Sequence, residues 1–113
     1  MLIVDDEPDF RRFVREALVS FMVVEAGSGR ETLRIVEEEQ LDLIIADIRM
    51  PEMDGCTLLT NLRSRFPGVP VLAASGYLDA DDLQRYGFDG FIDKPVGVER
   101  LQAMVETALS KSN

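Results

Sequence analysis

Five side chains that could do chemistry together stand at the ends of short apolar runs in the sequence. Asp5 and Asp6 follow the first run, Asp47 ends another, and Ser75 and Lys94 come after two later runs. A hydroxyl and an ammonium would complete a pocket for a tetrahedral anion. The three carboxylates, in a chain without histidine, form an oxygen donor set that suits Mg²⁺. That ion keeps part of its water shell and accepts phosphate oxygens. Such a set supports phosphoryl transfer, with an aspartate carboxylate as the candidate acceptor.

Each of these positions also has an ordinary structural interpretation when it is taken alone. The acidic run at residues 5–7 is typical of a helix N-terminus, where carboxylates cap free amides and face the positive end of the helix dipole. Asp47 could cap a loop, Ser75-Gly76 is a common turn dipeptide, and Lys94 before Pro95 could be a surface lysine next to a helix breaker. Their joint occurrence at the ends of four apolar runs favours a functional site.

The elements that must position these side chains follow from an alternation of two patterns. Apolar runs too short for helices, bounded by Asp, Gly, Ser or Pro, predict buried strands; they lie at residues 2–4, 22–24, 43–46, 69–73 and 91–92. Segments with apolar residues at helical spacing lie between and after them. These segments include a Ser28–Glu31 capping box, a stretch at 79–86 with few large apolar side chains, and a stripe of Val98, Leu101, Val105 and Ala108.

This alternation predicts an α/β fold. Non-alternating apolar strands indicate a parallel sheet covered by helices on both faces. At this size we expect a flavodoxin-like, doubly wound sheet of five strands in the order 2-1-3-4-5, with five helices. That order places the ligand crevice at the carboxyl ends of the first and third strands.

Length and composition limit the alternatives. A chain of 113 residues fits a single domain over 1–113. The net charge of −9 argues against binding to nucleic acid or an anionic membrane through charge alone. Cys56 is the only cysteine, and no apolar run approaches the length of a membrane span. We therefore expect a cytoplasmic domain with no direct contact to nucleic acid or membrane.

The sequence resembles the receiver domain of two-component response regulators over essentially its whole length. The resemblance rests on four motifs in a fixed order: Leu2-Ile3-Val4-Asp5-Asp6-Glu7, then Asp47-Ile48-Arg49-Met50-Pro51-Glu52-Met53-Asp54-Gly55, then Ala74-Ser75-Gly76, then Lys94-Pro95. Each motif is weak alone, and their order and spacing together are specific. A haloacid-dehalogenase-like hydrolase would need Asp-x-Asp after its first strand, and a flavodoxin-type FMN site would need a Gly/Ser/Thr-rich loop there. The chain has neither.

The resemblance implies a role for each matched residue around a Mg²⁺ ion. Asp47 would accept the phosphoryl group and also ligate the ion. Asp6 would be a direct ligand, Asp5 would assist through water, and the backbone carbonyl of Arg49 would be a further ligand.

The remaining matched residues would bind the phosphoryl group and transmit its presence. Ser75 would bond a phosphoryl oxygen, and Lys94 would pair with the free or phosphorylated carboxylate. Phe91 stands at the family's aromatic switch position, where the common residue is tyrosine. A switch through a phenolic hydroxyl is therefore lost, and only ring packing remains. 

The resemblance also implies partners. The donor would be a sensor histidine kinase or a histidine phosphotransfer domain, and the only chemistry would be the domain's own phosphoryl transfer and autodephosphorylation. The face formed by residues 79–86, Phe91 and residues 98–109 is the candidate surface for an output partner or a homodimer.

The alternative to a phosphorylated switch is a degenerate receiver that binds proteins independently of phosphorylation. Arg11, Arg12 and Arg15 on the first helix provide either solubilising charge or part of a kinase-docking face.

Overall fold

The computed structural model describes residues 1–38, 40–47, 55–76 and 87–111. The described residues form five strands: β1 Leu2–Val4, β2 Val24–Ala26, β3 Ile44–Asp47, β4 Val71–Ser75 and β5 Gly90–Asp93. The strands are all parallel and lie in the order β2-β1-β3-β4-β5. The predicted sheet and its strand order are confirmed.

Four helices cover this sheet within the described residues: α1 Pro8–Ala17, α2 Gly29–Glu38, α3 Gly55–Arg65 and α4 Val98–Lys111. The helix predicted over residues 79–86 lies outside the described part of the chain. No helix among the described residues is long and apolar enough to cross a membrane.

The second strand was predicted two residues too early. Met22 is 88% exposed, and the strand instead runs to Ala26, whose carbonyl accepts a hydrogen bond from the amide of Asp5 at 3.0 Å. The charged residue Glu25 at the centre of this strand breaks the apolar run. Its carboxylate is held by two arginines of α1, and this pairing allows an acidic residue to lie on a packed strand. The boundaries of the other four strands differ from prediction by at most two residues.

Local signals account for the beginnings of the first two helices. Pro8 occupies the first turn of α1, where its missing amide hydrogen costs no helical hydrogen bond. The Ser28 hydroxyl accepts a hydrogen bond from the amide of Glu31 at 3.1 Å, which confirms half of the predicted capping box. The Glu31 carboxylate completes it by accepting from the amide of Gly27 at 2.8 Å, one residue before the cap.

Two hydrophobic layers lie on opposite faces of the sheet because neighbouring strand residues point to opposite sides. Ile3 and Ile45 pack with α1 and α4, whereas Val4 and Ile44 pack with α2 and α3. The predicted stripe on α4 is correct for Leu101, Val105 and Ala108, which are buried, and wrong for Val98, which is 45% exposed. Val98 is the first residue of the helix, and a side chain at this end extends beyond the packed layer.

Candidate functional site

Four carboxylate side chains meet at the carboxyl edge of the sheet. Asp5, Asp6 and Glu7 follow β1, and Asp47 is the last residue of the neighbouring strand β3. One carboxylate oxygen from each of the four lies within 4.8 Å of the others. Asp5 and Asp47 are buried, and Asp6 and Glu7 are exposed. The cluster thus has a buried floor and an open side toward solvent.

Lys94 supplies the positive charge that faces this cluster. It directly follows β5, and its backbone amide donates to the carbonyl of Ser75 at 2.9 Å. Its ammonium nitrogen lies 2.6 Å from a carboxylate oxygen of Asp5, 3.5 Å from one of Asp47 and 3.6 Å from one of Glu7. The peptide bond from Lys94 to Pro95 is cis. The carboxyl ends of β1, β3 and β5 therefore contribute to one site, as the sequence predicts.

The pKa of Lys94 reflects two opposing effects. Burial by itself lowers the pKa, since a desolvated ammonium is less stable than a hydrated one. The hydrogen bond to Asp5, together with the charges of Asp5, Asp47 and Glu7, outweighs burial and raises the pKa above the ordinary value of 10.5. The lysine is therefore fully charged at neutral pH.

The two aspartates after β1 differ in their surroundings. Asp5 is fully buried and both of its carboxylate oxygens are engaged, one by Lys94 and the other by the amide of Glu7 at 2.9 Å. Asp6 is exposed beside it. Four carboxylates against one ammonium also leave the site with an excess of negative charge. Clustered oxygen donors and this charge excess both fit a hard divalent cation.

Ser75 and Phe91 lie on the neighbouring strands β4 and β5. Ser75 ends β4 and is 2% exposed. Phe91 is half-buried, and its ring meets the ring of Phe88 edge-on, with centroids 6.2 Å apart. The predicted hydroxyl is therefore at the site edge of the sheet, and the aromatic residue is on the adjacent strand. Arg49, with its predicted carbonyl ligand, and residues 79–86 of the predicted output face lie outside the described residues.

The positions of three residues around the site are not predicted by the sequence. Glu7 adds a fourth carboxylate to the cluster, although its place in the acidic motif by itself predicts no role in the site. Arg11 donates to the backbone carbonyl of Asp5 at 2.5 Å and to Glu25 at 3.2 Å. The ring of Phe10 lies under the Lys94 ammonium, 4.4 Å from nitrogen to centroid. Helical spacing places Phe10 on the apolar face of α1, but nothing local indicates which cation it meets.

Two of the three arginines of α1 reach toward β2, which the sequence alone does not indicate. Arg11 and Arg15 both contact Glu25, at 3.2 and 2.7 Å. Their spacing of four residues places them on one helical face. Arg11 and Arg15 therefore tie α1 to the edge strand, and Arg11 also supports the backbone of the acidic loop.

Comparison with known proteins gives consistent results. A family model described as "Response regulator receiver domain" matches residues 1–106. The transcriptional regulatory protein GlrR of Escherichia coli is 38% identical over 99% of this chain and 26% of its own length. The sensor kinase CckA of Brucella abortus is 38% identical over the whole chain and 13% of its own length. The chain thus spans about a quarter or less of these two relatives.

Solved structures agree with the sequence comparison. The crystal structure of the receiver domain of NtrX from Brucella abortus superposes with a TM-score of 0.87 at 30% identity. The match covers 96% of this chain and 97% of that one. The two chains therefore share one fold over nearly their whole lengths.

Proposed function

Because the chain belongs to the response regulator receiver domain family, we propose that it is a phosphoacceptor of a two-component phosphorelay, with Asp47 as the acceptor. The observation that carries this proposal is the position of Asp47. Its carboxylate ends β3, is buried, and lies within 3.5 Å of Lys94 and beside the other three carboxylates. A buried aspartate beside a lysine ammonium, open to solvent on the side of the exposed Asp6 and Glu7, is suited to accept a phosphoryl group.

The proposed reaction is a single displacement at phosphorus. A carboxylate oxygen of Asp47 forms the new P–O bond as the P–N bond of a donor phosphohistidine breaks. The imidazole nitrogen keeps the electron pair of the broken bond, and the product is an aspartyl phosphate. Asp47 is the last residue of β3, so the sheet itself holds its carboxylate in position for the reaction.

Charge on the transferred group must be balanced, because negative carboxylates surround the acceptor. The Lys94 ammonium faces both Asp5 and Asp47 and is the group in this chain that would pair with a phosphoryl oxygen. The Ser75 hydroxyl, at the end of the neighbouring strand, would bond another oxygen.

We infer that Mg²⁺ is the cofactor. Asp6, Asp47 and, through water, Asp5 would hold the ion, with the Arg49 carbonyl as a further ligand predicted from the sequence. When bound, the ion would neutralise phosphoryl oxygens in the transition state. The structural support is the cluster of four carboxylates, in which Asp5 is already engaged by protein donors and Asp6 is exposed.

The proposed partners follow from this chemistry. A sensor histidine kinase or a histidine phosphotransfer domain would present the phosphohistidine at the open edge. Phosphorylation would then draw Ser75 toward the site and let Phe91 repack, which changes the face that includes β5 and α4. That face is the proposed surface for an output partner or a homodimer. The degenerate-receiver alternative is not favoured, since the acidic residues, Ser75 and Lys94 are all retained at the expected strand ends.

The proposal is tested by intact-mass measurement with a small phosphodonor such as acetyl phosphate. In the presence of Mg²⁺ the protein should gain one phosphoryl group, and EDTA should abolish the gain. The Asp47→Asn variant keeps the shape of the side chain but lacks the nucleophilic carboxylate, so it should gain none. Equal labelling of this variant would disprove the assignment of Asp47.

A further inference from the structure

The site contains an aromatic contact that the roles described so far do not use. The nitrogen of the Lys94 ammonium lies 4.4 Å from the centroid of the Phe10 ring. Phe10 is the third residue of α1, the helix that directly follows the acidic loop. The lysine thus has carboxylates on one side and an aromatic face on another. An ammonium at this distance is attracted by the negative face of the ring.

The ring is held in place by the hydrophobic core and not by the site itself. Phe10 is half-buried and packs against the core layer on the α1 and α4 side of the sheet. The ring of Phe13, one turn along the same helix, lies 6.1 Å away at an interplanar angle of 31°. The position of the Phe10 ring is therefore determined by helix packing. Lys94 approaches it from the end of β5.

This arrangement restricts where the ammonium can lie. A ring face attracts the cation but offers no lone pair comparable to that of water, so the N–H groups are directed toward the carboxylates. The nitrogen lies closer to Asp5, at 2.6 Å, than to Asp47, at 3.5 Å. The ring also displaces water from one side of the cation, which strengthens its electrostatic interactions on the other side.

We propose that Phe10 is a positioning residue of the acceptor site. Its ring holds the Lys94 ammonium between Asp5 and Asp47, where the incoming phosphoryl oxygens need a cation. The inference rests on the proposed function of Asp47 and adds a residue from α1 to it. Without the ring, the ammonium gains water and alternative positions, so fewer molecules have the cation in place when the phosphoryl group arrives.

Three variants separate the ring contact from general packing. Phe10→Leu removes the aromatic face and keeps an apolar side chain, whereas Phe10→Tyr keeps the face. Phe13→Leu is the matched control, because it removes a neighbouring ring of the same helix and the same core layer. Unfolding in urea is measured for each variant, so that loss of stability can be compared with loss of positioning.

The first readout needs no phosphodonor. The chain has two lysines, Lys94 and Lys111, so lysine labelled with ¹³C at Cε gives two side-chain methylene signals. The ring current of Phe10 should shift the Lys94 signal upfield from that of an exposed lysine. Phe10→Leu should abolish this shift, and Phe10→Tyr and Phe13→Leu should retain it. An unchanged Lys94 signal in Phe10→Leu would overturn the inference.

The second readout is the rate of phosphoryl uptake from acetyl phosphate with Mg²⁺. Phe10→Leu should slow uptake about three- to tenfold, the range expected for loss of a partly exposed cation–π contact. Phe10→Tyr should restore uptake to near the original rate, and Phe13→Leu should leave it unchanged. Equal slowing by Phe13→Leu would show that only packing matters and would overturn the inference. Absence of uptake in the original protein would instead contradict the proposed function, and the Lys94 spectrum would still test the contact.

Discussion

At the scale of single residues, Lys94 links the parts of the site. It carries one positive charge, and three carboxylates from two segments of the chain lie within 3.6 Å of it. Asp5, which is fully buried, depends on this ammonium, since a buried carboxylate without a partner is costly. The same contact therefore stabilises the protein before phosphorylation and, in the proposed function, would balance the charge of the phosphorylated site.

The raised pKa of Lys94 predicts how this contact depends on pH. A group whose folded pKa lies above its unfolded pKa stabilises the fold fully below the unfolded value. That contribution is lost as pH rises through the folded value. The stability difference between the protein and Lys94→Met should therefore stay constant up to about pH 10 and shrink at higher pH. Urea unfolding from pH 7 to 12 measures this difference. A difference that shrinks already between pH 7 and 9 would contradict the raised pKa.

At the scale of elements, the sequence predicts a strand or helix correctly where the order of apolar and polar residues within that element is enough to define it. Buried parallel strands are short apolar runs, so the sheet and the side chains at its carboxyl edge could be predicted. Contacts between side chains of elements that are far apart in the chain leave no such pattern in the sequence. The predicted position of β2 is wrong because a charged residue such as Glu25 is typical of a loop, and its pairing with Arg11 and Arg15 of α1 leaves no local signal in the sequence. The ring of Phe10 under Lys94 was missed for the same reason.

The opposite end of the sheet depends on another contact between elements. One carboxylate oxygen of Asp89 accepts from the amide of Val71 and from Arg63, both at 2.7 Å. Arg63 also donates to the carbonyls of Val69 and Gly87, each at 3.1 Å. These contacts tie the second half of α3 to the beginnings of β4 and β5. They lie at the strand ends away from the carboxylate cluster.

Replacement of Asp89 should therefore affect stability and not the site. Asp89→Ala removes the acceptor of the Val71 amide and one of the three acceptors of Arg63, which keeps the carbonyls of Val69 and Gly87. We therefore expect a loss of about 1–2 kcal/mol in the free energy of unfolding. Urea unfolding measures the loss, with Glu106→Ala on the exposed side of α4 as the control for removal of a negative charge. Phosphoryl uptake by Asp89→Ala should match the original rate. A strong decrease in uptake by the folded variant would show that the two ends of the sheet are coupled.

At the scale of the whole molecule, the strand order creates the site. Asp6 and Asp47 are far apart in the chain and meet only because β1 and β3 are neighbours in the sheet. The unfolded chain has no comparable cluster. A cation that needs both carboxylates therefore binds the folded state selectively and must stabilise it.

Mg²⁺ should accordingly raise the unfolding midpoint. Above the dissociation constant, each tenfold increase in Mg²⁺ concentration should add about 1.4 kcal/mol to the free energy of unfolding. Thermal or urea unfolding across a Mg²⁺ series at constant ionic strength measures this gain. Asp6→Asn should lose most of the response, whereas Glu106→Gln should keep it. If the midpoint of the original protein does not change with Mg²⁺, the proposed metal site is wrong.

Chemical identification of the phosphorylated residue tests the central claim most directly. Borohydride reduces an aspartyl phosphate to homoserine, so phosphorylated protein treated in this way can be digested and sequenced by mass spectrometry. After incubation with acetyl phosphate and Mg²⁺, we predict homoserine at position 47 and at no other aspartate, and none when EDTA is present. Homoserine at Asp5 or Asp6, or its absence from position 47 in protein that carries a phosphoryl group, would contradict the assignment of Asp47 as the acceptor.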